Sequence, residues 1–482
     1  MTFPEVAWLP LLPVLVVTGT GFLVLLADLF IEGPDREGLG WIGIVGFAVT
    51  AIVSALLWNT HESGFGGGIV VDRYALFFDV LFSLAASLTL LMSMDYLESI
   101  DVRSGEFYAL VLFATAGMLL MASATDLIVL FLGLEVMSIA AYVLAGMWRQ
   151  ELRSSEGAVK YFLLGAFATG FLLFGIAFLY GAFGTTALDP ITAALGPAAG
   201  EQRALALAGM GLVLVGFAFK VAAVPFHAWA PDVYEGAPTS ITALMAVGVK
   251  AAAFAAFARI FLHHFAPLSV DWTGILWVLA VLTMTFGNVV ALLQRNIKRM
   301  LAYSSIAHAG YLLVGMVAAG EAGGAAVLYY LLVYALMNLG AFAVVIAVGR
   351  RGELNEMIDD FAGIGFRYPF LGFSMTVFML SLAGIPALAG FTGKFYLFSA
   401  AVKAGYVGLA LIGVLNSVIS MYYYVGVLVR MFMTDGTKEV QGTARRPYLF
   451  ATLLVTVAGT LFLGIFPAWA FQLARSAFHS LG

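Results

Sequence analysis

The chain has 482 residues, of which 62% are hydrophobic and only 11% are charged. Soluble domains carry about 25% charged residues, so this composition excludes an ordinary soluble enzyme and indicates a polytopic membrane protein. The net charge of −5, without a basic patch, gives no reason to expect a nucleic-acid partner. The absence of cysteine excludes disulfides, thiolate-ligated iron–sulfur clusters and cysteine-based zinc sites within this chain.

Apolar stretches of about 20 residues, the length that crosses a bilayer as a helix, recur along the whole chain. Fourteen spans can be counted, near residues 7–30, 40–58, 74–95, 107–123, 127–148, 157–181, 204–224, 239–262, 272–293, 300–318, 323–348, 369–384 continuing through 390–403, 407–433 and 448–470. The sequence therefore predicts an all-α polytopic membrane protein with about 14 transmembrane helices.

Two of these spans contain breaks, at Pro225 in span 7 and at Pro386 in span 12. Proline removes a helix hydrogen bond and frees a carbonyl one turn back. Broken helices at corresponding places in two halves are typical of inverted-repeat transporters. We therefore expect three N-terminal helices and then two inverted five-helix repeats, which contain the broken helices 7 and 12. The expected boundaries are 1–106 for the first three helices, 107–265 for spans 4–8, 266–435 for spans 9–13 and 436–482 for helix 14.

Basic residues are concentrated in the loops that follow odd-numbered spans. These residues are Arg36, Arg103, Arg149, Arg153, Arg295, Lys298, Arg299, Arg350, Arg351, Arg367, Lys438, Arg445 and Arg446. The opposite side has only Arg73, Arg203, Lys403 and Arg475. By the positive-inside rule, the first group faces the cytoplasm and both termini face outward.

A few ionisable residues remain inside the spans. Glu135, Lys220, Lys250 and Lys394 lie near span centres, and Lys160 is expected in the first turn of span 6. A charge at the bilayer centre costs roughly 2.5–3.5 kcal/mol on insertion scales, so such groups usually mark ion or proton paths. The alternative is a buried ion pair that locks helices together. It does not account for three central lysines, which outnumber the single central glutamate.

Lysine is suited to a proton relay because burial lowers a lysine's pKa and a nearby carboxylate raises it. An opposite charge at about 4 Å contributes about 4 kcal/mol at an effective dielectric near 20. Opening and closing a Glu–Lys pair could therefore load and release a proton. His308, beside Ser304, Ser305 and Tyr311, is either a further relay or a hydrogen-bonded core histidine. His61, His263, His264 and His479 fall in segments between or after spans, where we expect them to be solvated.

Several quoted stretches together resemble the antiporter-like subunits of respiratory complex I, the proton-pumping NADH:quinone oxidoreductase. They are "FKVAAVPFHAWAPDVYEGAP", "LQRNIKRMLAYSSIAHAGYLLVG" and "AGIPALAGFTGKFYLF", together with the glutamate of span 5 and the lysine of span 8. The resemblance covers essentially the whole chain. It implies a Glu135–Lys220 couple, Lys250 as the central relay and Lys394 as the lysine of the outer half. It also implies a supporting charge at Lys160 and a further relay at His308.

The resemblance also implies what lies outside this chain. FMN, the iron–sulfur clusters and quinone would belong to partner subunits, and the chain itself would hold no cofactor or metal. The implied neighbours are subunit M and subunit K, in the inner membrane of a bacterium, with both termini on the periplasmic side. Two alternatives stay open, a subunit of a multisubunit sodium/proton antiporter and a membrane scaffold without an ion path.

Overall fold

The computed structural model describes residues 7–31, 36–102, 105–195, 202–349, 355–436, 440 and 446–481. Within these ranges, thirteen helices are long and apolar enough to cross a membrane. They are Leu9–Asp28, Glu37–Leu56, Arg73–Ser99, Gly105–Ser123, Leu127–Ala145, Leu152–Phe183, Gln202–Lys220, Thr239–His264, Ala266–Ala291, Ile297–Ala318, Gly320–Val348, Val407–Met433 and Pro447–Ile465. They correspond to spans 1–11, 13 and 14, and we keep those numbers.

Spans 7 and 12 are the two broken helices. Span 12 consists of span 12a, Pro369–Ala383, and span 12b, Ala389–Lys403. Span 7 consists of span 7a, Gln202–Lys220, and a short helix after the break, span 7b, Trp229–Gly236. The prediction of an all-α polytopic protein with fourteen spans and breaks in spans 7 and 12 is confirmed. The boundaries of the repeats stay predictions.

Short elements connect the spans. Glu62–Gly64 and Ile69–Val71 form an antiparallel hairpin, which the sequence did not predict. The described connections also contain short helices at Phe65–Gly67, Leu188–Ala194, Ile358–Phe361 and Ile364–Arg367, and the helix Pro467–His479 follows span 14. Span 8 is not a regular helix, because π-helical turns at Met245–Val249 and Arg259–His264 flank its α-helical segment Lys250–Ala258.

Loops after even-numbered spans meet at one end of the molecule. Thr125 N–H donates to the Gly68 carbonyl at 3.0 Å, and Leu188 N–H donates to the Thr125 carbonyl at 2.9 Å. Loops after odd-numbered spans meet at the other end, where Ile297 N–H donates to the Glu356 carbonyl at 2.7 Å. Successive loops lie at alternate ends because each span crosses from one end of the molecule to the other. Which end faces the cytoplasm stays a prediction.

Spans 8, 10 and 11 form the centre of the protein. Nearly all of each span is buried against other helices, whereas spans 1, 6 and 13 leave most of their surface exposed. Glycines let the surrounding helices approach closely, since a Cβ on Gly117 of span 4 would lie 2.6 Å from the Gly133 carbonyl oxygen of span 5. Lys250 of span 8 and His308 of span 10 are therefore enclosed by protein.

A buried ion pair holds span 8 to the start of span 3. Two guanidinium nitrogens of Arg259 lie 2.9 and 3.0 Å from the two carboxylate oxygens of Asp72, and Arg259 Nε donates to the Ala122 carbonyl at 2.9 Å. Asp72 also accepts from Ala75 N–H at 2.7 Å and so caps span 3. The sequence did not predict this ion pair.

Replacing Arg259 with methionine should clearly lower the thermal stability of the full-length chain in detergent. The substitution leaves the buried Asp72 carboxylate without its cation, and removing one partner of a buried pair costs about 3–5 kcal/mol. The matched control is Arg203→Met, which breaks an exposed pair with Asp271 at 2.7 Å and should change little. Equal melting temperatures for the two variants would contradict a structural role for the buried pair.

Candidate functional site

Lys394 lies at the break in span 12. The break leaves carbonyls at the end of span 12a without helical donors, and Lys394 Nζ donates to those of Leu382 at 2.9 Å and Ala383 at 3.1 Å. Only 4% of Lys394 is exposed, and its ammonium group sits 4.8 Å from the centre of the Tyr311 ring. The Lys394 side chain therefore does not extend to the membrane surface. It bonds the carbonyl that Pro386 was expected to free.

Lys250 lies in the centre of the protein, directly after the first π-helical turn of span 8. Its ammonium group donates to the main-chain carbonyl of Ser305 at 2.7 Å and to the Ser305 hydroxyl. Ser305 belongs to span 10, one helical turn before His308. Lys250 thus contacts the helix that carries His308. Its role as the central relay stays a prediction.

His308 is surrounded by tyrosines from two other spans. Its Nδ1 lies 2.6 Å from the hydroxyl of Tyr330 in span 11, and its Nε2 lies 3.0 Å from the hydroxyl of Tyr424 in span 13. The Tyr424 hydroxyl is also hydrogen-bonded to the Ser304 hydroxyl. Both ring nitrogens therefore have a hydroxyl partner that can donate or accept a proton.

The tyrosines around His308 also contact the break in span 12. A Cβ on Gly393, the residue before Lys394, would lie 2.4 Å from the Tyr330 ring, so span 12b packs directly against this tyrosine. Tyr311, which lies beneath the Lys394 ammonium group, is 5.5 Å from His308 between ring centres. The structure thus gathers Lys250, His308 and Lys394 into one buried group of polar residues, in which Lys250 bonds Ser305, His308 bonds two tyrosine hydroxyls and the Lys394 ammonium group lies against Tyr311.

Lys220 ends span 7a and lies beside span 5. Its Nζ donates to the hydroxyl of Ser138 at 2.7 Å and lies over the rings of Tyr142 and Tyr161, at 5.4 and 5.3 Å. Ser138 is one turn after Glu135 on the same helix. No ion pair joins Glu135 to Lys220 within the described residues, and Glu135 Oε1 is buried there without a hydrogen-bond partner. The expected direct contact is therefore not formed, and contact through one water stays a prediction.

A small cavity adjoins Lys220. Its volume is about 10 Å³, and residues of spans 5, 6 and 7a line it, Leu134, Thr169 and Gly216 among them. A cavity of this size has room for about one water molecule. Water could therefore reach the ammonium group of Lys220 from between these three helices.

Lys160 lies apart from these residues, at the odd-numbered end of the protein. Its Nζ is 2.7 Å from Glu156 Oε1 and 2.8 Å from Asp232 Oδ2. Arg299 bonds the same Asp232, so the cluster ties span 6 to spans 7b and 10. Span 6 begins at Leu152, earlier than expected, so Lys160 lies in the third turn and not in the first. Its role as a supporting charge stays a prediction.

Sequence reasoning missed the tyrosines and misplaced one histidine. Tyr330 and Tyr424 lie in "LYYLLVY" and "MYYYVG", and those runs of tyrosine on apolar spans were the available signal. His264 was expected in solvent, but the structure buries it against Thr192. That part of the histidine prediction was wrong, because span 8 extends to His264 and a short helix covers its end.

Broken helices around buried lysines define a transporter-like class of membrane protein. A family described as "NADH:quinone oxidoreductase/Mrp antiporter, TM" matches residues 124–420 of the chain. The NADH-quinone oxidoreductase subunit N of Trichlorobacter lovleyi is 48% identical over 467 residues, which cover 97% of this chain and 96% of that protein. The chain belongs to the NADH:quinone oxidoreductase/Mrp antiporter family.

Solved structures agree with this assignment. A chain of respiratory complex I from Thermus thermophilus with bound Aureothin matches with a TM-score of 0.81 at 36% identity, over 96% of this chain and 99% of that one. A chain of the Mrp complex from Dietzia sp. DQ12-45-1b matches with a TM-score of 0.85 over 98% of this chain and 97% of that one. Its identity is 21%, so the second likeness shows the fold alone.

Replacing Ser138 with alanine should lower the melting temperature of the chain in detergent. The substitution removes the hydroxyl that accepts from the Lys220 ammonium group, and an unsatisfied buried donor costs about 1–3 kcal/mol or more when it is charged. The matched control is Ser374→Ala, because the buried Ser374 bonds only the Phe370 carbonyl of its own helix. A Ser138 variant as stable as the Ser374 variant would show that Lys220 does not depend on this hydroxyl.

Proposed function

We propose that the chain is a membrane-arm subunit of NADH:quinone oxidoreductase that translocates protons, equivalent to subunit N of its relatives and to mitochondrial subunit 2. The observation that carries this proposal is the buried group of polar residues that contains Lys250, Ser305, His308, two tyrosine hydroxyls and Lys394. The lysine at position 394, where a glutamate would indicate subunit M, favours subunit N.

The buried group can move a proton in short steps. Lys250 donates toward Ser305, whose helix presents His308 one turn further on. An imidazole accepts a proton at one nitrogen and releases one from the other, and both nitrogens of His308 face hydroxyl groups. Lys394 lies beyond the tyrosines and would pass the proton toward the outer half. Each proton that crosses against 100 mV requires about 2.3 kcal/mol.

Glu135, Lys220 and Lys160 would act on the uptake side. Lys220 is held by Ser138 beside a cavity with room for one water, and Glu135 lies one turn from that serine. Approach of the carboxylate would favour the charged lysine, and its withdrawal would favour release of the proton. Lys160 would hold the helices around this region through Asp232.

The energy for translocation would come from other subunits. FMN, the iron–sulfur clusters and the quinone are assigned to those subunits, in keeping with the lack of cysteine in this sequence. The proposed neighbours are subunit M on one flank and subunit K on the other, in the bacterial inner membrane. Both termini are proposed to face the periplasm, and spans 4–8 and 9–13 to be the inverted repeats.

The second candidate is a subunit of a multisubunit sodium/proton antiporter. The observation in its favour is the likeness in fold to a chain of the Mrp complex. Purification of the tagged chain in mild detergent separates the two. Co-purification of flavin- and iron–sulfur-containing subunits supports the proposed function. A preparation that contains cation-antiporter subunits instead would replace it with the alternative.

Replacing Lys394 with alanine should reduce NADH-driven acidification of vesicles that contain the whole complex by at least about tenfold, since a proton-transfer group typically contributes 10²–10⁴-fold. No partner charge is stranded, but the Leu382 and Ala383 carbonyls lose their donor, so acidification is compared at equal amounts of assembled complex. The matched control is Lys403→Ala, which removes an exposed lysine from the same helix. Normal acidification in the Lys394 variant would remove this residue from the path.

Replacing Tyr424 with phenylalanine should reduce proton pumping while the complex still assembles. The substitution keeps the ring and removes the hydroxyl that joins His308 to Ser304. Tyr422→Phe is the matched control, since Tyr422 is 76% exposed two residues away on the same span. Acidification per NADH oxidised is the readout, and equal ratios for both variants would exclude the Tyr424 hydroxyl from the relay.

A further inference from the structure

Three side chains that could ligate a metal meet at the even-numbered end of the protein. His263 and His264 end span 8, and Asp189 lies in the short helix Leu188–Ala194. One potential ligand atom from each residue lies within 4.8 Å of the others. None of the three belongs to the buried group that carries the proposed function.

The distances suit a small tetrahedral ion. His264 Nδ1 lies 3.7 Å from Asp189 Oδ1. Two ligands at about 2.0–2.2 Å from a tetrahedral zinc ion lie roughly 3.4 Å apart, so a small shift of the exposed carboxylate completes this edge. The rings of His263 and His264 are 4.6 Å apart between centres. Binding at Nδ1 would replace the present hydrogen bond between His264 and Thr192, which is 3.0 Å long.

Backbone geometry and burial favour a prepared site. Consecutive residues of an α-helix do not face each other, but His263 and His264 lie in the π-helical turn Arg259–His264. The helix that carries Asp189 is fixed by the hydrogen bond of Leu188 N–H to the Thr125 carbonyl. His264 is buried, His263 is half-buried and the Asp189 side chain is 84% exposed, so an ion could approach from solvent.

We propose that Asp189, His263 and His264 form a binding site for a divalent transition metal of the zinc class. Two imidazoles and one carboxylate are ligands that zinc accepts, whereas calcium and magnesium prefer oxygen alone. A water molecule would take the fourth position. The bound ion would fix the end of span 8 to the helix that covers it. The site is independent of the proposed function.

The test titrates the purified full-length chain in detergent with Zn²⁺, in competition with a chromophoric chelator. Wild type should bind one Zn²⁺ ion. Asp189→Asn and His263→Gln should each lower the affinity for that ion by at least about tenfold. Neither substitution touches a fully buried residue, so the fold should persist, and circular dichroism checks it. His61→Gln is the control, since His61 is exposed and is in no group of three potential ligands within the described residues.

Substitution with Co²⁺ gives a second measurement. Four-coordinate Co²⁺ bound through nitrogen and oxygen should give visible absorption bands in wild type and in His61→Gln. The bands should be lost in His263→Gln. Equal affinity for Zn²⁺ in wild type and in both site variants would overturn the proposal, and so would an equal loss of affinity in the His61 control.

Discussion

Inside a bilayer, a carbonyl without a donor and an ammonium group without an acceptor are both costly, and in span 12 each satisfies the other. The break exposes the carbonyls of Leu382 and Ala383, and Lys394 supplies the donors. A continuous helix would offer no acceptors there, and a break without the lysine would leave the carbonyls bare. The close packing of Gly390 against the Ser381 carbonyl keeps the two halves together around this contact.

The central cations are all held by neutral oxygen atoms. Lys250 bonds Ser305, Lys220 bonds Ser138 and Lys394 bonds main-chain carbonyls. Carboxylate partners occur instead near the helix ends, as for Arg259. A carboxylate contact favours the positive charge strongly, whereas a hydroxyl or carbonyl can accept from an ammonium group and, more weakly, from a neutral amine. These lysines can therefore change their protonation state without losing their contacts.

Patterns local to one segment predicted much of this arrangement. Span number follows from apolar length, and both breaks follow from Pro225 and Pro386, since proline acts on its own helix. Contacts between distant segments did not follow. Asp72 lies in a loop, and nothing in the sequence around it indicates that Arg259 faces it. Tyr424 lies in an apolar span, and nothing in the sequence around it indicates that His308 faces it. The Glu135–Lys220 couple stays a prediction, because the Lys220 ammonium group bonds the Ser138 hydroxyl, a contact that the sequence did not predict.

The π-helical turn Met245–Val249 interrupts the α-helical geometry of span 8 directly before Lys250. A π-bulge accommodates an extra residue within an otherwise α-helical rod. Successive α-helical residues differ by about 100° in direction, so a bulge that moves past a side chain by one position rotates it by roughly that angle. Lys250 is the first residue after this bulge. Migration of the bulge by one residue would therefore rotate the Lys250 side chain about the helix axis and move its ammonium group away from Ser305, while the two ends of the helix stay in place.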